Sequence, residues 1–562
     1  MKKNKNPKII LEEYENEFSY KKSKTNLNIK FNRIAFIFFI FFMISIIFSI
    51  QLLHLGSSKQ EKNNTKPLIN KKNYRADIID RNGNYLVKTV DSIDVGINPA
   101  DVIDKKHLLL MLNHIYKNKN FSEIKKRLNK NKFFYLEKNI RPKRYEELML
   151  LGDKSISSKA SLIRLYPQEN LFSHIIGQID DNNNGISGIE KSFDKQLKKK
   201  KEPIKLTVDT DIQFLIREEL LRFQEIFRAK GSAAILMNIN NGDIISLVSL
   251  PDFNLNERKS ITDNNYINKI TKGTYELGSV FKTFTFTAGL NEGVIEPSTE
   301  FLDLPKSINC AGFPIREYNQ ELPSNLTAEE ILIRSGNIGS VRIAQRLGID
   351  KFKLFLENIG VLGQIEFDIE EVAKEKKFSW GKCKLATASF GHGITTTILQ
   401  LAKGYSIIAN GGFGINPTLI KKSEKGMIQK KRILKEGISK KVVSILRKIV
   451  STEEGTANQA NVKGYKIAGK TGTAQQPIEG IYSRTKINTF ASIFPSNKPK
   501  YVFIVMLESP KTASKYVYEY RNQPGKTQTG SPYNTAGWTT VEVVGKIIEK
   551  IGPILATKYI EN

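Results

Sequence analysis

Four residues, Ser279-Val280-Phe281-Lys282, pair a hydroxyl with an amine at a spacing suited to nucleophilic catalysis. A serine hydroxyl attacks poorly until a base removes its proton. On a helix, positions i and i+3 share a face, so Lys282 stands beside Ser279. A desolvated, neutral lysine is such a base. Ser279 at the start of that helix also aims backbone N–H groups at a developing oxyanion. Ser-x-x-Lys alone is a weak signal, since it recurs at Ser19, Ser122 and Ser192 in this lysine-rich chain. Ser279 differs in its setting. Gly278 precedes it, and Thr283-Phe284-Thr285-Phe286 continue an apolar helix whose buried face would desolvate Lys282.

Two further motifs offer matching chemistry. Ser335-Gly336-Asn337 presents a hydroxyl and an amide on a loop, although Ser307-Ile308-Asn309 has the same pattern. Lys470-Thr471-Gly472-Thr473 occurs once. On a strand, Lys470 and Gly472 share one face and Thr471 and Thr473 the other. Lys470 supplies positive charge for a substrate carboxylate, and Gly472 lets a substrate backbone approach. The same stretch has a rival reading. Gly464 to Thr471 matches the phosphate-loop pattern G-x-x-x-x-G-K-[ST]. A phosphate loop must lead straight into a helix. Here Pro477 and Gly480 stand where that helix should run. Nucleotide binding is therefore not expected.

The elements that must position these motifs are legible in outline. Leu206–Val208 reads as a short strand and Asp211 as the cap of a helix that Gly231 ends. Ala233–Ile239 and Ile244–Leu250 are apolar strands joined by the hairpin signal Asn240-Asn241-Gly242. Helices fill the middle. Strands return at Gly464–Thr473, Ile487–Phe494 and Tyr501–Leu507, and Trp538–Ile551 closes the chain as a helix. Early and late strands with helices between predict an α/β domain, an antiparallel sheet sandwiched by helices. Upstream, Arg75–Asn84 gives a strand and an Asn-Gly turn, Asp91–Ile97 a strand, and residues 101–150 helices. Residues 59–203 read as one extended module with little core of its own.

The 562-residue length requires more than one core. Ile34 to Leu55 is apolar and uncharged, long enough to cross a bilayer as one helix. It is longer than the apolar region of a signal peptide, and Gln51-Leu52-Leu53-His54 follow Ile50 in place of a cleavage site, so it reads as an uncleaved anchor. Lys2, Lys3, Lys5, Lys8, Lys21, Lys22, Lys24, Lys30 and Arg33 precede it, which favours an amino terminus inside and the remaining residues outside. Net charge is +30, but the lysines are spread along the chain and no nucleic-acid motif accompanies them. Nucleic-acid binding is therefore not expected either. Cys310 and Cys383 define neither a disulfide framework nor a metal site, and the sequence leaves open whether they pair.

Taken in order, Ser-x-x-Lys, Ser-x-Asn and Lys-Thr-Gly, separated by 56 and 135 positions, resemble the motifs of the penicillin-binding proteins. Arg75–Gly83, Gly185–Leu197 (GISGIEKSFDKQL) and Ala388–Gly412, with Gly391-His392-Gly393, also look like that family. One departure is Leu277, where relatives often carry proline; it should alter the lead-in turn and not the chemistry. No glycosyltransferase pattern is present, so the resemblance is to class B, the monofunctional transpeptidases. The Ser-Gly-Asn-Ile-Gly context and the Gly-His-Gly segment make it look more like the septal, division-specific type than the elongation type.

The resemblance implies a penicillin-binding, serine β-lactamase-like transpeptidase fold at 204–562. It also implies a cytoplasmic tail at 1–33, a transmembrane anchor at 34–55 and a pedestal, or dimerisation-like, domain at 56–203. It implies that Ser279 attacks the D-Ala-D-Ala carbonyl of a stem peptide and that Lys282 takes its proton. Ser335 relays a proton to the leaving D-alanine, and Asn337 hydrogen-bonds the donor. Lys470 shapes the field, while Thr471, Gly472 and Thr473 line the carboxylate subsite. No cofactor or metal is implied. The partners implied are peptidoglycan stem peptides, β-lactams and membrane proteins of the division complex, including a glycosyltransferase. The location implied is the inner membrane, single-pass, with the catalytic domain periplasmic. A β-lactamase shares the motifs but needs neither pedestal nor anchor. A scaffold or drug sensor with an idle site is the reading of a different class, and intact motifs weigh against it.

Overall fold

A computed structural model describes residues 29–57, 74–117, 119–140, 142–257, 266–374, 379–381, 383–422, 431–478 and 481–558. The basic residues before Ile29 and the polar stretch from Lys59 to Asn73 lie outside these. The chain divides into two compact units, Met1–Ile69 and Asn70–Asn562. In the first, Ile29–Ser57 is one continuous helix, α1. Its Ala35–His54 stretch, 20 residues, is long and apolar enough to cross a membrane, and none of it is buried by protein.

The second unit begins with a five-stranded sheet: β1 (Ile78–Ile79), β2 (Tyr85–Ile97), β3 (Phe134–Ile140), β4 (Ile156–Leu165) and β5 (Ile204–Lys205). The Asn-Gly turn forms as predicted. Asp80 Oδ1 accepts from the N–H groups of Asn82 and Asn84, both at 2.8 Å, and Gly83 takes φ +94°. Residues 101–150 are not wholly helical. Helices α2 (Lys105–Ile115), α3 (Phe121–Asn129) and α4 (Pro142–Met149) cover the far end of β2, and β3 interrupts them. Leu108, Leu112, Leu128, Leu136 and Leu148 close a separate core there with Val95 and Ile97. Ala76, Ile78, Val87, Phe172, Ile189 and Leu197 instead join the main core downstream. The expectation of one module with little core was wrong in that respect: its head has its own core and its stem shares another.

Within the stem, Glu190 is fully buried between two arginines. Arg75 Nη2 lies 2.7 Å from Glu190 Oε2 and Arg164 Nε 2.7 Å from Oε1. Buried charges persist only when paired, and removing one partner costs about 3–5 kcal/mol. Glu190→Gln, which leaves Arg164 facing a neutral amide and Arg75 with Asp194 as its remaining carboxylate, is expected to lower unfolding stability by about that amount. The check is the denaturant midpoint of the detergent-solubilised chain.

The main domain is built on a second antiparallel sheet. Its strands are β6 (Gly231–Asn238), β7 (Ile244–Leu250), β8 (Ala468–Ile478), β9 (Ile481–Phe494) and β10 (Tyr501–Glu508), in the order β8-β9-β10-β6-β7. Helix α5 (Thr210–Ile226) packs on β6 and β7, and on the carboxy-terminal helix Thr540–Lys558. A second helical pair, Ile398–Ala409 and Ile438–Ser451, packs against β6, β8 and β10. The α/β sandwich expected from the sequence is the fold. Local boundaries moved. Asp209, not Asp211, caps α5, accepting from Asp211 and Ile212 N–H. That helix ends at Ile226, where Arg228 takes the left-handed conformation, and Gly231 starts β6 instead. Gly464, at φ +93°, turns the chain before β8, so this strand begins at Ala468 and runs on to Ile478. The early strand lies at 204–205 and the last helix starts at Thr540.

Candidate active site

Ser279 lies in a 3₁₀ turn, Gly278–Phe281, that feeds α6 (Lys282–Asn291). Lys282 N–H donates to Ser279 O, an i→i+3 bond. In a 3₁₀ turn, residues i and i+3 eclipse, so the pairing expected from an α-helix is reached by tighter winding. Backbone close approach holds this turn on two sides. Gly278, at φ +61°, donates its N–H to Gly391 O at 3.3 Å. A Cβ on Gly472 would lie 2.3 Å from Leu277 O. The space beside Gly472 is thus filled by the nucleophile's own turn, not kept open for substrate backbone as the sequence had suggested. Leu277, in place of proline, is fully buried, and the turn forms.

Helix α6 is buried along its whole length, and Val280, Phe281, Phe284 and Phe286, which flank Lys282 in the chain, are buried with it. Lys282 Nζ donates to Ser335 O at 2.5 Å, Asn337 Oδ1 at 2.7 Å and Ser335 Oγ at 3.2 Å. Lys470 Nζ, equally buried, donates to Ser335 Oγ at 2.9 Å and Thr471 O at 3.2 Å. Ser335 therefore links the two ammonium groups. It does so at φ +62°, a left-handed conformation that costs a non-glycine residue about 1–3 kcal/mol. Burial lowers the Lys282 ammonium to about 7, against the raising field of Glu317. Burial also pulls Lys470 well below its ordinary value, and the charge of Lys282 pulls it further. Two desolvated cations sharing one hydroxyl favour a state in which one is neutral.

The Ser335–Asn337 loop is aimed by residues the sequence reading missed. Glu317 is buried and accepts the N–H groups of Asn337 and Ile338, both at 2.7 Å, at the start of α7 (Asn337–Leu347). Asn337 Nδ2 donates to Arg316 O at 2.8 Å. Both ends of the Asn337 amide thus bond within the protein, and its oxygen orients Lys282. Glu317 ends the hairpin Ser307–Cys310/Phe313–Arg316, which a Cys310–Cys383 disulfide ties to the segment before Phe390–Gly393. No linear pattern around Glu317 signals its role.

Lys470 to Thr473 stand within β8, opposite Ala491 to Asn488 of β9. No helix follows Lys470-Thr471, which removes the phosphate-loop reading. Thr471 Oγ1 and Thr456 Oγ1 are 2.7 Å apart, and Thr473 Oγ1 accepts from Ala536 N–H at 3.0 Å. The structure therefore joins Lys282, Ser335, Asn337 and Lys470 by hydrogen bonds, beside the turn that carries Ser279.

Comparison with known proteins agrees with this geometry. Residues 70–220 match the family described as the penicillin-binding protein dimerisation domain, and residues 232–527 the penicillin binding protein transpeptidase domain. The chain is 27% identical over 498 residues to a protein of Caulobacter vibrioides named probable peptidoglycan D,D-transpeptidase FtsI, covering 86% of this chain and 82% of that one. It is 25% identical over 485 residues to peptidoglycan D,D-transpeptidase FtsI of Escherichia coli K12, covering 79% and 80%. In fold it is similar to penicillin binding protein 3 of Mycobacterium tuberculosis, solved as a complex with aztreonam. The TM-score is 0.63 at 21% identity, over 87% of this chain and 96% of that one. Two family domains in sequence, and a Ser-Lys-Ser-Asn-Lys site within the second, place the chain among the class B penicillin-binding proteins.

Proposed function

We propose that this chain is a membrane-anchored peptidoglycan D,D-transpeptidase that cross-links stem peptides at the septum through a Ser279 acyl-enzyme. The observation that carries the reading is Lys282. It is buried, lowered to about 7 and locked onto Ser335 and Asn337 one 3₁₀ turn from a serine. Such an amine can accept the Ser279 proton at neutral pH. The Ser279 oxygen attacks the penultimate D-Ala carbonyl, and N–H groups of Ser279 and Thr473 hold the oxyanion. Ser335 passes the proton to the leaving D-alanine. Lys470 keeps the field positive, and Thr471 and Thr473 meet the terminal carboxylate. Asn337 holds Lys282 and offers its remaining amide hydrogen to the donor peptide. β-Lactams enter the same way and remain on Ser279.

The likeness to relatives named FtsI supports the septal reading over the elongation type. The assignment of residues 1–33 to a cytoplasmic tail, 34–55 to an anchor, 56–203 to a pedestal and 204–562 to the transpeptidase domain belongs to the same proposal. So does the orientation, with the basic amino terminus inside and the catalytic domain periplasmic. The pedestal and anchor suit contacts with division-complex membrane proteins, among them a glycosyltransferase. A membrane-impermeant fluorescent penicillin tests these points together. It is expected to label the chain in spheroplasts, and in dividing cells the label should concentrate at the septum. Labelling that requires lysis reverses the orientation, and label spread along the side wall moves the role to elongation.

A further inference from the structure

The loop Phe390–Gly393 meets the Ser279 turn from a side that none of the roles above uses. Gly391 O accepts the Gly278 N–H, and a Cβ on Gly391 would lie 2.1 Å from Gly278 O, so loop and turn touch backbone to backbone. That contact sets where His392 stands. Its ring packs against Phe390 and Tyr482, with centroids 5.4 and 5.6 Å away. Tyr482 OH donates to both carboxylate oxygens of Glu276, at 3.1 and 3.3 Å, three residues before the nucleophile. Lys384 Nζ donates to Gly393 O and anchors the far end of the loop. The imidazole is thus held from several sides, yet its Nδ1 is buried without a hydrogen-bond partner. A buried polar nitrogen left unpaired is costly and calls for a partner that arrives later.

The proposed reaction supplies one. Once a peptide is bound to Ser279, the amine of a second stem must attack the ester carbonyl. As its nitrogen bonds to carbon, that nitrogen becomes acidic and needs a base. Lys282, Ser335, Asn337 and Lys470 form one hydrogen-bonded group that served the donor, and His392 bonds to none of them. We propose that His392 is the general base for the acceptor amine, with Glu276 and Tyr482 as its positioning residues. This rests on the acyl-enzyme reading. The acceptor N–C bond forms and its proton passes to the imidazole. The C–O bond to Ser279 breaks, and the serine oxygen takes a proton relayed through Ser335 from solvent. His392 then gives its proton up to solvent, and Lys282, which passed its proton to D-alanine during acylation, ends neutral as it began, so the enzyme returns unchanged.

The groups facing the ring suit this role. Burial, and then the charge of Lys282, keep His392 below the usual histidine range, so the imidazole is neutral and basic at neutral pH. Burial raises Tyr482 to about 12, with the Glu276 carboxylate adding to it, so the phenol stays protonated as a donor. Burial raises Glu276 against the hydrogen bonds of Gly393 and Tyr482 and the charge of Lys384.

The test uses the full-length chain in detergent. A D-alanyl thioester donor forms the acyl-enzyme, and intact mass confirms it. A stem tripeptide bearing a free side-chain amine on its diamino acid is then added, and loss of the acyl-enzyme is followed from pH 5 to 9. Only acylated molecules are counted, so misfolded protein does not enter. H392Q is expected to slow this step by about tenfold or more, and to lose only that part of the acid limb which imidazole protonation adds to the titration of the acceptor amine itself. H392A is expected to recover when free imidazole is supplied. An unchanged rate in H392Q, or a loss that imidazole does not restore in H392A, reduces the ring to packing and overturns the proposal. Absence of the acyl-enzyme on the wild type, seen before any amine is added, sinks the serine mechanism itself and this inference with it.

Discussion

Ser279→Ala is expected to abolish covalent labelling by a radiolabelled or fluorescent penicillin. No ester can form without the hydroxyl oxygen, so the expected result is a loss to background. The chain carries its own controls. Ser19, Ser122 and Ser192 also precede a lysine by three positions. Of these, Ser122 stands in the first turn of α3, within the pedestal head, and Ser192 ends a short helix of the stem. Neither is hydrogen-bonded to Lys470 or Ser335, whereas Lys282 is bonded to Ser335 directly. Peptide mapping should therefore recover the label on Ser279 alone. The variant keeps the turn, because the bond that winds it runs from Lys282 N–H to the Ser279 carbonyl and not to its hydroxyl. An unchanged melting curve is expected alongside the lost label. Label that survives in Ser279→Ala removes this serine as the nucleophile.

What the sequence made legible was mostly local. Ser279 and Lys282 are three residues apart, and Lys470 to Thr473 are contiguous, so spacing alone brings their side chains near one another. The apolar run of α1, the apolar runs of β6 and β7 and the hairpin signal between those two strands are local in the same sense. The rest depends on contacts between distant segments. Glu317 reaches Asn337 across 20 positions and carries no motif. Cys310 and Cys383 pair across 73 positions because the hairpin and the following loop converge. The constraint on Gly472 comes from Leu277, almost two hundred residues upstream, and no strand pattern can announce it. The separate head core depends on β3 folding back against β2, a pairing hidden within residues that looked uniformly helical and basic. Position-specific errors were smaller. Asp209 outcompetes Asp211 as a cap because its carboxylate reaches the first free N–H groups.

Lys282→Arg is expected to cost two to four orders of magnitude in acylation rate, the usual contribution of a general base. A lysine acts as base only when neutral, and its ordinary value near 10.4 would leave almost none of it so at neutral pH. Burial removes that obstacle by lowering Lys282 to about 7. Desolvation dominates that shift, and the mutual repulsion of the two ammonium groups is expressed on Lys470. The sign for the rate follows. Wild-type acylation should rise about tenfold per pH unit below 7, where the neutral fraction grows, and level off above it. The sign for stability is parallel. A lysine with a lowered folded value binds fewer protons folded than unfolded between about 7 and its ordinary value, so its cost to stability fades as pH rises through that window. Arginine cannot lose its proton in this range, so it keeps charge and hydrogen-bond donors but not basicity. The Ser335 and Asn337 oxygens that Lys282 now meets remain available to a guanidinium. The measurement is penicillin acylation against pH for both forms, with melting curves to show that each is folded. A folded arginine variant that acylates at near wild-type rate would make Lys282 a charge partner of Ser335 and transfer the role of base to Lys470.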